Sequence, residues 1–135
     1  MTGSLDGRGL PAGYPFKDAW EITPRDARKL AETGAALIVD VRTNEEIAVA
    51  AVAGALPIPL HELEQRADEI PESASVLTLC HHGVRSMKAA AFLRAVGFPD
   101  ARSIAGGIEL WSLAADPSVP RYERHGGVCT VLPRA

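Results

Sequence analysis

The sequence predicts a three-layer α/β domain with a mostly parallel sheet of about five strands. Helix-like and strand-like segments alternate from Glu21 to about Leu113, which is typical of α/β architecture. The strand-like segment at 36–39 is continuously apolar, as are strands that a parallel sheet buries on both faces. The length of 135 residues fits a single domain with a core of its own.

The first half of the chain has clear helix signals. A first helix is expected after Thr23, which can cap it, with Pro24 in the first helical position and Gly34 at its end. Residues 36–39 then read as a buried strand. Residues 43–46, with the sequence Thr-Asn-Glu-Glu, have the form of a capping box and predict a second, short helix.

The second half continues the alternation and places a cysteine at a strand end. The predicted elements are an extended piece at 56–60, a helix at 61–70, a strand at 75–79, a helix at 86–96, a strand at 102–104, a turn at 105–107 and a helix at 108–113. Cys80 directly follows the strand at 75–79. Sites in open α/β sheets form at the carboxyl ends of strands, so Cys80 stands where chemistry is expected.

We expect three regions: an N-terminal arm at 1–20, the domain at 21–122 and a C-terminal tail at 123–135. The arm is rich in glycine and proline, which favours an extended chain. Three aromatic residues are expected to fix it to the domain: Tyr14, Phe16 and Trp20.

Composition excludes several classes of function. The net charge is −3, which argues against nucleic acid as a partner, because nucleic-acid binding needs a concentrated basic surface. Two cysteines are too few for a disulfide scaffold. The first ten residues lack the apolar core of a signal peptide, and no run approaches the ~20 apolar residues of a membrane span. We therefore expect a cytoplasmic protein without a membrane partner.

Residues 80–86, Cys-His-His-Gly-Val-Arg-Ser, join the strand to the helix and carry the expected chemistry. A tight loop over Cys80 would direct several backbone N–H groups at its sulfur. The amino terminus of the next helix and the cation of Arg85 would add positive potential, and Gly83 permits the turn. All three favour the thiolate, the nucleophilic form of cysteine.

These residues resemble the active-site loop of the rhodanese family, C-x-x-G-x-R-S, and the likeness extends over about residues 22–122. Asp40-Val41-Arg42 with Glu46, followed by Gly54-Ala55, is similar to a second family motif. Gly106-Gly107-Ile108 with Trp111 is similar to a third. One departure is visible, since Ala50-Ala51-Val52 stands where the family often has Gly-His-Ile. That difference puts in doubt any role of this position at the pocket mouth.

The resemblance implies a sulfurtransferase of the thiosulfate:cyanide type. Its implied catalytic residues are Cys80, as the nucleophile that forms a persulfide, and Arg85. The other loop residues are expected to bind substrate: His81, His82, Gly83, Val84 and Ser86. The expected partners are a small sulfur donor, thiosulfate or a persulfide, and a thiol acceptor, which includes the case of a protein acceptor. No cofactor and no metal are expected.

Two rival functions stay open from the sequence alone. Phosphatases and arsenate reductases of the same fold use a C-x5-R loop, whereas Arg85 follows Cys80 with C-x4-R spacing, a smaller ring that suits a single sulfur atom. A module that only docks a partner would not need Cys80, Gly83 and Arg85 together.

Single residues also have plainer interpretations. Cys80 itself could be an inert buried thiol. His81 and His82 could suggest a metal, but adjacent histidines on a tight loop are expected to point apart. Arg42 and Glu46 are expected to form a structural ion pair. Three further expectations are that Asp40 fixes a turn, that Trp111 is a core residue, and that Cys129 takes part only if the tail folds back.

Overall fold

A computed structural model describes residues 4–133 and contains, within that range, one five-stranded parallel sheet. Its strands are β1 (Glu21–Ile22), β2 (Leu37–Asp40), β3 (Leu56–Pro57), β4 (Val76–Leu79) and β5 (Arg102–Ile104). They are arranged in the order β1-β5-β4-β2-β3, and every pairing is parallel. The predicted sheet is therefore confirmed, with β4, the strand before Cys80, at its centre.

The helices are α1 (Pro24–Glu32), α2 (Asn44–Val49), α3 (Leu63–Arg66), α4 (Val84–Ala95) and α5 (Gly107–Ala114). The caps that begin α1 and α2 are those that the sequence predicts. Thr23 accepts a hydrogen bond from the N–H of Asp26. Thr43 and Glu46 form a complete capping box, and this box fixes the direction of the Glu46 side chain.

One predicted helix is wrong in its extent. The expected helix at 61–70 consists of the short α3 between two 3₁₀ turns, Leu60–Glu62 and Ala67–Glu69. Its end has a clear cause, since Ile70 precedes Pro71 and adopts an extended conformation, as residues before proline do.

Helices cover both faces of the sheet, which confirms the three-layer architecture. Alternate residues of a strand point to opposite faces: Ile38 of β2 belongs to one buried cluster and Val39 to the other. The first cluster includes Ala27 of α1 with Ile108 and Trp111 of α5, so Trp111 is a core residue, as expected. The second cluster includes Leu63 of α3 and Ala89, Leu93 of α4.

The N-terminal arm is attached to the domain by its apolar residues. Leu10 is fully buried against Ala105 and Leu110, and Tyr14 and Phe16 pack on the same cluster. Trp20 lies under the guanidinium of Arg94, with 3.8 Å between the guanidinium carbon and the ring centre. The predicted anchoring role of the three aromatic residues is confirmed.

Residues 122–131 form an antiparallel hairpin, where the sequence analysis expected only a tail. Strands β6 (Tyr122–His125) and β7 (Val128–Val131) are joined by Gly126 and Gly127, whose φ angles are +57° and +83°. Two positive φ angles define the hairpin turn that suits twisted strands, and glycine adopts them without strain. We call residues 122–131 the C-terminal hairpin. No helix within residues 4–133 combines the length and apolar character needed to cross a bilayer.

Candidate active site

Cys80 lies immediately after β4 at the carboxyl edge of the sheet, with 1% of its surface exposed. The N–H of Gly83 donates to its Sγ at 3.0 Å. Gly83 can turn this N–H inward because its φ of +103° lies in the region that glycine tolerates. Among the backbone N–H groups of residues 4–133, only this one donates to the sulfur. One of the several predicted donors is thus in place, and the full ring stays a prediction.

Behind the sulfur lies a short chain of hydroxyl groups. The Sγ of Cys80 is 3.3 Å from the Oγ of Ser86, which is 2.7 Å from the Oγ of Ser103 on β5. Both serines are fully buried. A hydroxyl accepts from a thiol or donates to a thiolate by rotating its proton, so Ser86 can serve either form of Cys80. Ser103 was missed by the sequence analysis, although a polar residue inside a buried strand was a signal for it.

The turn Gly106-Gly107 holds the loop from the other side. The N–H groups of Ile108 and Glu109, at the start of α5, donate to the carbonyls of Cys80 and His81 at 2.8 and 3.2 Å. A Cβ atom on Gly107 would lie 2.4 Å from the carbonyl oxygen of His81. Glycine is therefore required at position 107, because two backbone segments touch there.

Arg85 forms a bidentate ion pair with Glu46. Its Nη1 and Nη2 atoms lie 2.7 and 2.9 Å from Oε1 and Oε2 of a carboxylate that is fully buried. The expected ion pair between Arg42 and Glu46 is wrong. Arg42 pairs with Asp40, with Nη2 and Oδ2 2.6 Å apart, because residues two apart on an extended segment point to the same side. The predicted turn-fixing role of Asp40 is confirmed, since its Oδ1 accepts the N–H of Arg42.

Glu46 joins three parts of the structure. It accepts hydrogen bonds from Thr43 in α2's cap, from Arg85 in the loop and from the hydroxyl of Tyr122 in the C-terminal hairpin, the last at 2.7 Å. Burial alone would raise the pKa of Glu46, but the hydrogen bonds from Arg85, Tyr122 and Thr43 outweigh it and hold that pKa well below its usual range. The carboxylate therefore stays ionised at neutral pH.

His81 and His82 stack together with Tyr122. The rings of His81 and Tyr122 are nearly parallel with centres 4.0 Å apart, and the His82 ring lies 3.9 Å from that of His81. The expectation that the two histidines point apart is wrong, because Tyr122 gives His81 a flat surface and His82 packs on His81 in turn. Burial, and then the charge of His82, lower the pKa of His81, so its Nε2 donates as a neutral ring to the carbonyl of Tyr122 at 3.0 Å. Within residues 4–133, no three His, Cys, Asp or Glu side chains are grouped as metal ligands.

A cavity of about 500 Å³ opens onto this loop. The predicted residues Cys80, His81, His82, Val84 and Arg85 line it, while Gly83 and Ser86 contact the sulfur without lining the cavity. The rest of the lining comes from residues that the sequence analysis did not predict: Glu109, Arg121, Tyr122, Glu123, Arg124, His125 and Leu132. Cys129 and Cys80 are both free thiols, and Cys129 does not line the cavity.

Comparison with known proteins agrees with this geometry. A sequence-family model described as the rhodanese-like domain matches residues 23–114. The chain belongs to the rhodanese-like domain family. The match includes the loop at 80–86 and the turn at Gly106-Gly107, and it ends before the C-terminal hairpin.

Relatives of similar length support the membership. A sulfurtransferase of Allochromatium vinosum is 37% identical over 93 residues, which cover 69% of this chain and 87% of the relative. The thiosulfate sulfurtransferase GlpE of Pseudomonas aeruginosa is 37% identical over 90 residues, 67% of this chain and 81% of the relative. The solved rhodanese-like domain protein of Staphylococcus aureus superposes with a TM-score of 0.64 at 30% identity, covering 77% of this chain and 99% of that one. Two longer maize relatives are matched over only 27% and 23% of their own length.

Proposed function

We propose that this protein is a sulfurtransferase in which Cys80 carries a sulfane sulfur as a persulfide. The observation that carries the proposal is the 3.0 Å hydrogen bond from the N–H of Gly83 to the Sγ of Cys80, at the wall of the cavity. A fixed donor on a sulfur atom favours its anionic forms, and both the thiolate and the persulfide are anions. The similarity to sulfurtransferases over the same residues supports this chemistry.

The reaction has two steps. The thiolate of Cys80 attacks the outer sulfur of thiosulfate, the sulfur–sulfur bond of the donor breaks, and sulfite leaves with the bonding electron pair. An acceptor thiolate then attacks the outer sulfur of the Cys80 persulfide and releases the thiolate of Cys80. Each step exchanges one sulfur–sulfur bond for another, so no outside oxidant or reductant is consumed. Cyanide can replace the thiol in an assay.

The surroundings of Cys80 suit both forms of the sulfur. Ser86, whose Oγ lies 3.3 Å from Sγ, can accept from the thiol and can donate to the thiolate. The hydroxyl of Ser103 supports Ser86 at 2.7 Å. Thiosulfate is the donor we propose, because GlpE is a thiosulfate sulfurtransferase and is similar over the loop; a low-molecular-weight persulfide is the alternative donor. A small thiol or a protein thiol is the proposed acceptor.

The position of Arg85 disfavours phosphate transfer. In a phosphatase of this fold, the loop arginine would bind the oxyanion through bidentate hydrogen bonds from its guanidinium. Here both Nη atoms of Arg85 are bound to the two carboxylate oxygens of Glu46. This arrangement leaves the loop suited to a single sulfur atom.

Intact mass spectrometry after incubation with thiosulfate tests the proposal. The wild-type protein is expected to gain the mass of one sulfur atom and to lose it on addition of cyanide. The Cys80→Ser variant is expected to gain nothing, whereas the matched Cys129→Ser variant should load normally. Sulfur loading of Cys80→Ser, or Cys80-dependent turnover of an aryl phosphate without loading in the wild type, would contradict the assignment.

A further inference from the structure

The C-terminal hairpin forms one wall of the Cys80 cavity, although it lies beyond the residues that the family model matches. The hairpin is attached to the domain through the specific contacts of Tyr122. Tyr122 is 2% exposed, and its hydroxyl donates a hydrogen bond to Glu46 and accepts one from Arg42. The backbone carbonyl of Tyr122 accepts a hydrogen bond from Nε2 of His81. A hairpin held at the loop itself is in a position to affect what binds there.

Among residues 4–133, three arginines line the cavity, and two of them are each bound to a carboxylate by two nitrogen atoms. Arg85 uses both Nη atoms on Glu46. Arg121, just before the hairpin, uses Nε and Nη2 on the carboxylate of Glu109. An arginine bound in this way to a carboxylate has little capacity left to bind an incoming anion.

Arg124 of β6 differs from the other two. Within residues 4–133 its contact with an acidic group is one distance of 3.3 Å, from Nη1 to Oε1 of Glu46. Its side chain is also the most exposed of the three, at 37% against 25% for Arg85 and 26% for Arg121. Arg85 already balances the charge of Glu46, so Arg124 brings an additional positive charge, on a partly exposed side chain, to the cavity wall.

We propose that Arg124 binds the anionic end of the sulfur donor, the sulfonate group of thiosulfate, while Cys80 attacks the outer sulfur. A guanidinium presents paired donors that match the oxygens of such a group. The C-terminal hairpin would thus determine donor choice, in favour of anionic over neutral donors. This inference extends the proposed function, on which its choice of donor rests.

The test compares Arg124→Gln with Arg124→Lys and with Lys29→Gln. Lys29 is exposed on α1 and does not line the cavity, so its variant removes the same charge elsewhere. The first measurement is the rate of alkylation of Cys80 by iodoacetate, an anion, and by neutral iodoacetamide, with peptide mapping to separate Cys80 from Cys129. Arg124→Gln is expected to lower the iodoacetate-to-iodoacetamide rate ratio several-fold, Arg124→Lys to retain most of it, and Lys29→Gln to leave it unchanged.

The second measurement is the thiosulfate concentration at which the initial rate of sulfur loading of Cys80 is half-maximal. Loss of a charge-assisted hydrogen bond at a partly exposed site is expected to raise it about tenfold in Arg124→Gln. The two measurements separate the two proposals. If the wild type takes no sulfur from thiosulfate, the proposed function fails, and the alkylation ratio still decides the role of Arg124. A ratio in Arg124→Gln equal to that of the wild type would overturn the inference.

Discussion

Replacing Glu46 by Gln should destabilise the protein strongly, because this carboxylate is buried and paired. Removing one partner of a buried ion pair typically costs 3–5 kcal/mol, since the other charge is left without compensation. Glu46 is fully buried, but a quarter of the Arg85 side chain is exposed, so the freed guanidinium regains some water. We therefore expect the low end of that range, about 3 kcal/mol, which corresponds to a fall in melting temperature of about 10 °C for a domain of this size.

Glu45→Gln is the matched control. Glu45 is the preceding residue of α2, carries the same charge and is exposed, so its replacement should change the free energy of unfolding by no more than about 0.5 kcal/mol. The double variant Glu46→Gln, Arg85→Gln should be more stable than the sum of the two single losses predicts, because neither charge is then left alone. Denaturant unfolding is measured for the wild type and for four variants: Glu45→Gln, Glu46→Gln, Arg85→Gln and the double variant. Equal stability of the Glu45 and Glu46 variants would refute the role assigned to Glu46.

The pH dependence has a defined sign. The pKa of Glu46 is lowered by folding, so its contribution is fully present above the unfolded-state value of about 4.3 and is lost as the pH falls below it. The difference in unfolding free energy between wild type and Glu46→Gln should therefore be constant near neutral pH and should shrink on acidification below that value.

Three further predictions concern the supports of the loop. Gly107→Ala should lower the free energy of unfolding by at least about 1–3 kcal/mol and slow sulfur loading, because a φ of +64° is strained for alanine and the added Cβ would meet the carbonyl of His81. Thermal melts measure the loss. Gly7→Ala is the control, since no residue beyond its chain neighbours lies within 4 Å of the added carbon. Tyr122→Phe should lower the free energy of unfolding, measured with denaturant, by about 1–3 kcal/mol. Glu46 and Arg42 lose the hydroxyl that both of them bind, while the ring stays stacked on His81. A loss below about 0.5 kcal/mol would contradict this prediction. Burial lowers the pKa of His81, so unfolding free energy should fall as the pH drops below about 6.5, and His81→Gln should reduce that slope.

Features set by neighbouring residues were predictable from the sequence. The caps at Thr23 and at Thr43 with Glu46, the apolar strands and the strand–loop–helix around Cys80 all depend on local patterns, and all are present. The short strand β1 was missed because two residues carry no periodic signal. The hairpin was also missed, although Gly126-Gly127 between two polar–apolar segments is a hairpin signal.

The contacts that shape the site were not predictable from spacing. Glu46 and Arg85 are 39 residues apart, and Glu46 and Tyr122 are 76 apart, so only the folded sheet brings them together. A sequence motif placed Glu46 beside Arg42, but the capping box turns its side chain towards Thr43 and the loop. The roles of Cys80 and Arg85 in catalysis, the domain boundaries and the cytoplasmic location stay predictions.

Stability alone does not account for the charges buried beside Cys80. Buried ion pairs such as those of Arg42 with Asp40 and Arg85 with Glu46 stabilise a fold no better than well-packed apolar side chains would. What these ion pairs add is a fixed orientation of the side chains that they join. Because Glu46 is fixed by its own capping box, it sets the position of Arg85, and through the Tyr122 hydroxyl it holds the C-terminal hairpin against the loop. Tyr122 in turn fixes the ring of His81. One carboxylate thus aligns both walls of the cavity around a single sulfur atom, which apolar packing would leave free to shift.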